Sequence, residues 1–209
     1  MNVLESKIIC DAKKYVNSIL MPLENYYYHQ YEHALDVMTR AVYIGEKEGL
    51  SKEDIEIMAI SGLFHDTGFT IQYDNNEFIG AKIAENYLKS ILYPKEKIDK
   101  VRKIIQATDS NYDKPENIME KIIKDSDLDN LGRDDFFDKG DKLKMELETI
   151  KKIKIKDPDW HHSALDFLWN HRYYTKTQEN ERGEKKKKNE ELLKSMVKEE
   201  GEVVIKPNY

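Results

Sequence analysis

The run Ala59-Ile60-Ser61-Gly62-Leu63-Phe64 offers water almost nothing, yet it leads directly into His65-Asp66. An apolar run of this kind belongs in a core, so the chain must carry an imidazole and a carboxylate to the edge of that core. Groups of this type are costly to bury unless they are paired or coordinate a metal. Two further residues of the same chemistry stand at the edges of other apolar segments. His33 lies in Tyr28-His29-Gln30-Tyr31-Glu32-His33-Ala34-Leu35, and Asp127 lies in Lys124-Asp125-Ser126-Asp127-Leu128-Asp129. Two neutral imidazoles and two carboxylates make a mixed N/O ligand set for a divalent metal. That set suits Mn, Fe, Co, Ni or Zn better than Ca and leaves room for water. Singly, each residue has an ordinary explanation: a lone histidine on an apolar face is a hydrogen-bonded core residue, and a lone His-Asp pair is a helix end cap. The ordered set of four is what points to a metal.

Apolar residues recur at intervals of three and four almost throughout, which predicts helices. The first runs over about 3–20, with Leu4, Ile8, Ile9, Ala12, Tyr15, Val16 and Leu20 on one face. The second runs over about 27–48 and carries His33, Val37, Ala41 and Ile44 inward. Ser51-Lys52-Glu53-Asp54 caps a third that ends in His65-Asp66, and Gly68 breaks it. Further helices are expected from Asn75 or Asn76, from Pro94 or Lys95, from Pro115 to Asp127, from Arg133 to about 155, and from Trp160 to His171. The polar segment 176–190 reads as a mobile connection, followed by a helix near 187–199. Strand character is confined to Val203-Val204-Ile205. The fold class is all-α: a compact, single-domain helical bundle.

His33 and His65 are 32 positions apart, enough for two antiparallel helices and a short turn. His33 falls early in its helix and His65 at the end of the next, so an antiparallel pair puts both at the same end of the bundle. Asp127 also ends a helix and can supply a third wall. Four protein ligands in an octahedral site leave about two positions for water and a substrate oxygen. Asp66 can bind metal and also take a proton from the attacking water. His29 is four residues before His33, one helical turn away on the same face. An imidazole titrates near neutrality, so it could protonate a leaving oxygen; the alternative is a surface or supporting histidine.

These residues resemble the HD-domain superfamily of metal-dependent phosphohydrolases, whose ligands are a histidine, an adjacent His-Asp pair and a later aspartate. The resemblance runs from about Tyr26 to at least Gly140. It implies His33, His65, Asp66 and Asp127 as metal ligands and an HD-type helical fold. Tyr28-His29-x-x-x-His33 is similar to the opening of class I cyclic-nucleotide phosphodiesterases, which implies His29 as general acid and His33 as ligand. Phe64-His65-Asp66-Thr67-Gly68-Phe69, Gln72-Tyr73-Asp74-Asn75 and Asp127-Leu128-Asp129-Asn130-Leu131-Gly132-Arg133 resemble a small bacterial branch of HD phosphohydrolases. The expected domain plan is an HD-type domain over 1–175 and a charged C-terminal extension over 176–209, partly helical and packed on that domain.

The sequence departs from the family pattern in one respect. Many HD enzymes hold a second metal with histidines between the HD pair and the last aspartate, and here no histidine lies between His65 and Asp127. Asn76-Glu77 stands where relatives often have His-Glu, and Thr108-Asp109 ends the helix where another such histidine often falls. Glu77 and Asp109 remain candidate oxygen ligands for a weak second Mg or Mn, or supports for the first site. Arg133 could bind phosphate with its planar fork or simply pair with Asp134, Asp135 or Asp138. His171 could reach the site mouth or cap its helix.

The function expected is metal-dependent hydrolysis of a phosphate ester of a small metabolite, a nucleotide or cyclic nucleotide first among them. The alternatives are a non-catalytic nucleotide-sensing HD module and an iron-dependent HD-type oxygenase, which would need two irons and more histidines. The metal is expected to be a divalent transition ion (Mn, Fe, Co, Ni or Zn) or Mg. A net charge of −6 argues against a nucleic-acid partner, and no stretch approaches the roughly 20 apolar residues of a membrane span. The opening residues lack a signal-peptide pattern, and the single cysteine, Cys10, forms no internal disulfide, so the expected setting is cytoplasmic. A homodimer is compatible with this reading.

Overall fold

The computed structural model describes residues 3–112 and 114–204, with side chains as far as Glu199. Among the described residues there are nine α-helices and no strand. They are α1 (Lys7–Leu20), α2 (Tyr31–Lys47), α3 (Lys52–Phe64), α4 (Asn76–Ser90), α5 (Lys95–Gln106), α6 (Ile118–Asp127), α7 (Phe136–Lys151), α8 (Asp157–Asn170) and α9 (Lys176–Val204). The all-α expectation holds. Val203 and Val204 end α9, and Ile205 lies outside the described residues. The chain divides into two compact units, Met1–Asp129 and Asn130–Tyr209. The first unit thus ends before the extension expected from residue 176, and within the second unit α8 packs against α9.

In the first unit α3 is the central element. Every residue from Ile57 to Phe64 is buried, so the second half of this helix has no solvent face, and α1, α2, α5 and α6 all pack on it. Its start is fixed by Ser51, whose hydroxyl accepts from the Asp54 N–H at 3.1 Å. Gly62 lets α2 come close. A Cβ there would lie 2.8 Å from the Met38 Cα and 2.9 Å from its nitrogen, so any larger residue would push the two backbones apart. The other helices show the usual one-sided burial: Ile9, Ala12, Val16 and Leu20 on α1, Val37, Ala41 and Ile44 on α2, and Ile122 and Ile123 on α6.

Several boundaries differ from the sequence reading, among them those of α2, α6 and α9. α2 begins at Tyr31 rather than near 27, because Gln30 is extended (φ −110°, ψ 177°) and its side chain donates to the Tyr26 carbonyl at 2.5 Å. α6 begins at Ile118, not at Pro115: Asn117 caps it by accepting from the N–H groups of Met119 and Glu120 at 3.0 and 3.1 Å. Residues 176–190 are helical rather than a loose connection. Thr175 caps α9 by accepting from the Gln178 N–H at 3.2 Å, and over 176–190 the side chains that α9 buries are polar: Gln178, Lys186 and Asn189. Asn189 donates to the carbonyls of Leu131 (2.9 Å) and Arg133 (3.1 Å) within the second unit.

Candidate metal centre

Four elements of the first unit end at one place. His33 is the third residue of α2, His65 caps α3, Asp66 enters a short 3-10 helix (Thr67–Thr70), and Asp127 is the last residue of α6. The turn after His65 is held by the Thr67 hydroxyl, which donates to the Phe64 carbonyl at 2.7 Å. Gly68 admits the start of α4, since a Cβ there would lie 1.9 Å from the Asn76 carbonyl oxygen. The antiparallel approach of α2 and α3 at Gly62 then sets His33 opposite His65, with the two Nε2 atoms 3.3 Å apart.

Around that pair the carboxylates close in. Asp127 Oδ1 is 3.0 Å from His33 Nε2 and 3.3 Å from His65 Nε2. Asp66 Oδ2 is 3.0 Å from His65 Nε2 and 3.4 Å from His33 Nε2. Metal bonds of about 2.0–2.2 Å place adjacent ligands of an octahedral ion about 3 Å apart, which is the spacing found. Asp66 Oδ2 is the telling atom. It is fully buried and close to both imidazoles, yet no contact with it has hydrogen-bond geometry. A buried carboxylate oxygen left in that condition is expensive unless a cation fills the gap. His65 Nδ1 is 2.7 Å from the Gly62 carbonyl; with the proton on Nδ1, the Nε2 lone pair faces the cluster, as a metal ligand requires. Thus His33, His65 and Asp127 offer ligand atoms within 4.8 Å of one another, Asp66 adds a fourth, and the donor set fits a divalent ion.

The electrostatics agree. Burial would push His65 down, but the Asp66 and Asp127 carboxylates outweigh it and raise the imidazole well above its ordinary value. Burial likewise pushes both aspartates up, and the neighbouring histidines overcome it: His65 and then His29 act on Asp66, and His65 and His33 on Asp127, so both end low. Without an ion this cluster would attract protons to replace it.

The remaining candidates are less uniform. His29 precedes α2 and so is not on the same helical face as His33. Its ring nevertheless lies 5.9 Å from that of His33, centroid to centroid, and packs against Phe69 at 4.3 Å. Glu77, in the first turn of α4, is raised by burial and by the charges of Asp109, Asp66 and Asp127. Asp109 Oδ1 already accepts from the Asn111 N–H (2.8 Å) and side-chain amide (3.0 Å). Arg133 and His171 belong to the second unit. There Arg133 makes a two-pronged pair with Asp135 at 2.9 and 2.7 Å. His171 follows α8 as its C-cap, with its ring against Phe167 and Tyr173. The sequence reading overlooked Arg40, whose Nε donates to Asp129 Oδ1 at 2.9 Å beside the cluster's third wall. The available signal was its position seven residues after His33, on the same face of α2.

Residues 30–163 match the HD domain family, and the chain belongs to that family. No curated protein matches its sequence. Among solved structures it is similar to a predicted HD superfamily hydrolase from an uncultured Thermotogales bacterium, at 16% identity and a TM-score of 0.64 over 95% of this chain and 99% of that one. It is similar to Bacillus subtilis YpgQ in complex with ADP, at 20% identity and a TM-score of 0.65 over 91% and 93%. The Lin1889 protein of Listeria innocua gives 21% identity and a TM-score of 0.65 over 99% and 100%. These likenesses establish a shared fold. Among the described residues no helix is long and apolar enough to cross a membrane.

Proposed function

We propose that this protein hydrolyses a phosphate ester of a small metabolite, a nucleotide or cyclic nucleotide, with one tightly held divalent ion. The observation that carries the reading is the largely buried His33–His65–Asp66–Asp127 set, with the Asp66 oxygen between two imidazoles and without a hydrogen bond. A transition ion (Mn, Fe, Co, Ni or Zn) or Mg bound there would supply Lewis-acid polarisation of a phosphoryl group and a water acidified toward neutrality. Asp66, kept ionised by its histidine neighbours, holds the ion and accepts the proton of the attacking water. His29, with its ring held by Phe69 and Tyr28, donates the proton that the leaving oxygen needs. Glu77 and Asp109 offer a second, weaker, all-oxygen position suited to Mg or Mn. The ADP bound to YpgQ supports a nucleotide as the substrate class.

The test is turnover of a panel of nucleotide and non-nucleotide phosphate esters with added Mn(II), on wild type and His29→Ala. The wild type should turn over nucleotide esters. The variant should bind Mn(II) normally and lose roughly 10²–10⁴-fold in rate, with a smaller deficit on nitrophenyl esters, whose leaving group needs no proton. No turnover of any ester by the wild type, with metal bound, would overturn the hydrolase reading. An equal loss on natural and activated esters would remove His29 as the acid.

A further inference from the structure

Arg40 and Asp129 form an ion pair inside the first unit, with side chains only 10% and 7% exposed. The chemistry proposed does not use them. Their position is informative. Arg40 lies two helical turns beyond His33 on the same face of α2, and Asp129 lies two residues beyond Asp127, past the helix end at Leu128. The same two stretches of chain are therefore joined twice. One joint is His33 with Asp127 at 3.0 Å, and the other is Arg40 with Asp129 at 2.9 Å. The guanidinium is further held with its carbon 5.0 Å from the centre of the Tyr43 ring, also on α2.

A ligand at the last residue of a helix needs such a second joint. Helix ends fray, and the Asp127 carboxylate is the most exposed of the four, with 24% of its side chain open against 8% or less for the others. We infer that Arg40, through Asp129, is a positioning residue that fixes the end of α6 against α2 and so holds Asp127 at the metal. The inference rests on the metal-site reading. Supporting shells of this kind typically govern metal affinity by 10–100-fold.

The experiment measures Mn(II) affinity by calorimetry on chelator-stripped protein, alongside the melting temperature of the same metal-free samples. Arg40→Met alone removes the cation facing a buried carboxylate, a destabilising change, so the decisive variant is Arg40→Met/Asp129→Leu, which removes both charges of the pair. Tyr93→Phe is the control. It breaks a partly buried hydrogen bond to Glu56 (2.7 Å) that is unconnected with α6. The paired variant should melt close to wild type without metal but bind Mn(II) about 10–100-fold more weakly, whereas Tyr93→Phe should bind as wild type does whatever its melting temperature. Mn(II) affinity within twofold of wild type in the paired variant would overturn the inference, as would an equal loss of affinity in Tyr93→Phe. A wild type that binds no Mn(II) would instead sink the metal-site reading itself.

Discussion

The end of α3 and the length of α9 use the same residue chemistry to opposite effect. Along α9, charges on the exposed face pair one to one near water: Lys188 with Glu184 at 2.6 Å and Lys194 with Glu190 at 2.5 Å. Such pairs are locally neutral and contribute little, because water already satisfies each member. At the end of α3, by contrast, two imidazoles and two carboxylates are crowded together, with imidazole–carboxylate distances of 3.0–3.4 Å. Three of the four are buried, Asp127 is partly so, and one Asp66 oxygen lacks a hydrogen bond. Proximity of charged groups is therefore not itself a sign of function. The sign is proximity together with burial and an incomplete set of bonds.

That contrast breaks most severely at Gly62. Gly62→Ala places a Cβ 2.8 Å from the Met38 backbone, separating α2 from α3 and hence His33 from His65. The expected cost is about 1–3 kcal/mol of stability together with loss of tight metal binding, read by denaturant melts and metal titration. Unchanged metal affinity in this variant would mean that the helix approach does not set the site.

A smaller effect is expected from pH. The folded value of His65 is raised above its ordinary 6.5, so its contribution is complete below about 6.5 and is lost as pH rises through the raised value. Asp66 and Asp127 are lowered from 3.8, so theirs is complete above about 4 and is lost as pH falls through the lowered values. Metal-free protein should accordingly lose melting temperature as pH climbs above about 6.5. Added Mn(II) should oppose that trend, because ligand deprotonation favours the ion: the metal-induced rise in Tm should be larger near pH 8 than near pH 6. Calorimetric melts at several pH values check both curves, and a metal-induced rise that shrinks with pH would count against imidazole ligands. The smallest effect belongs to α9. Lys188→Ala should leave Tm unchanged within about 1 °C, measured by the same melts.

Much of this arrangement is legible in the sequence, and the parts that are not share a cause. α3 and the four clustered residues stand out because an apolar run has to be buried and these polar residues sit at its edges. The start of α2 was misplaced because neither glycine nor proline marks it; the chain turns at Gln30 through an extended backbone and a side-chain bond to Tyr26. Residues 176–190 looked loose because hydropathy cannot see a face buried through Gln178, Lys186 and Asn189. The pairing of Arg40 with Asp129 is hidden for a similar reason. Each looks like a surface charge until its partner, far along the chain, is known.

The central claim is that His33, His65, Asp66 and Asp127 together hold a single divalent ion. Titration of chelator-stripped protein with Mn(II), followed by calorimetry and elemental analysis after dialysis, tests it most directly. Wild type should retain one tightly bound equivalent per chain, and His65→Ala should retain none while its Tm no longer responds to added metal. Equal retention by wild type and His65→Ala, or two tight equivalents in the wild type, would contradict it.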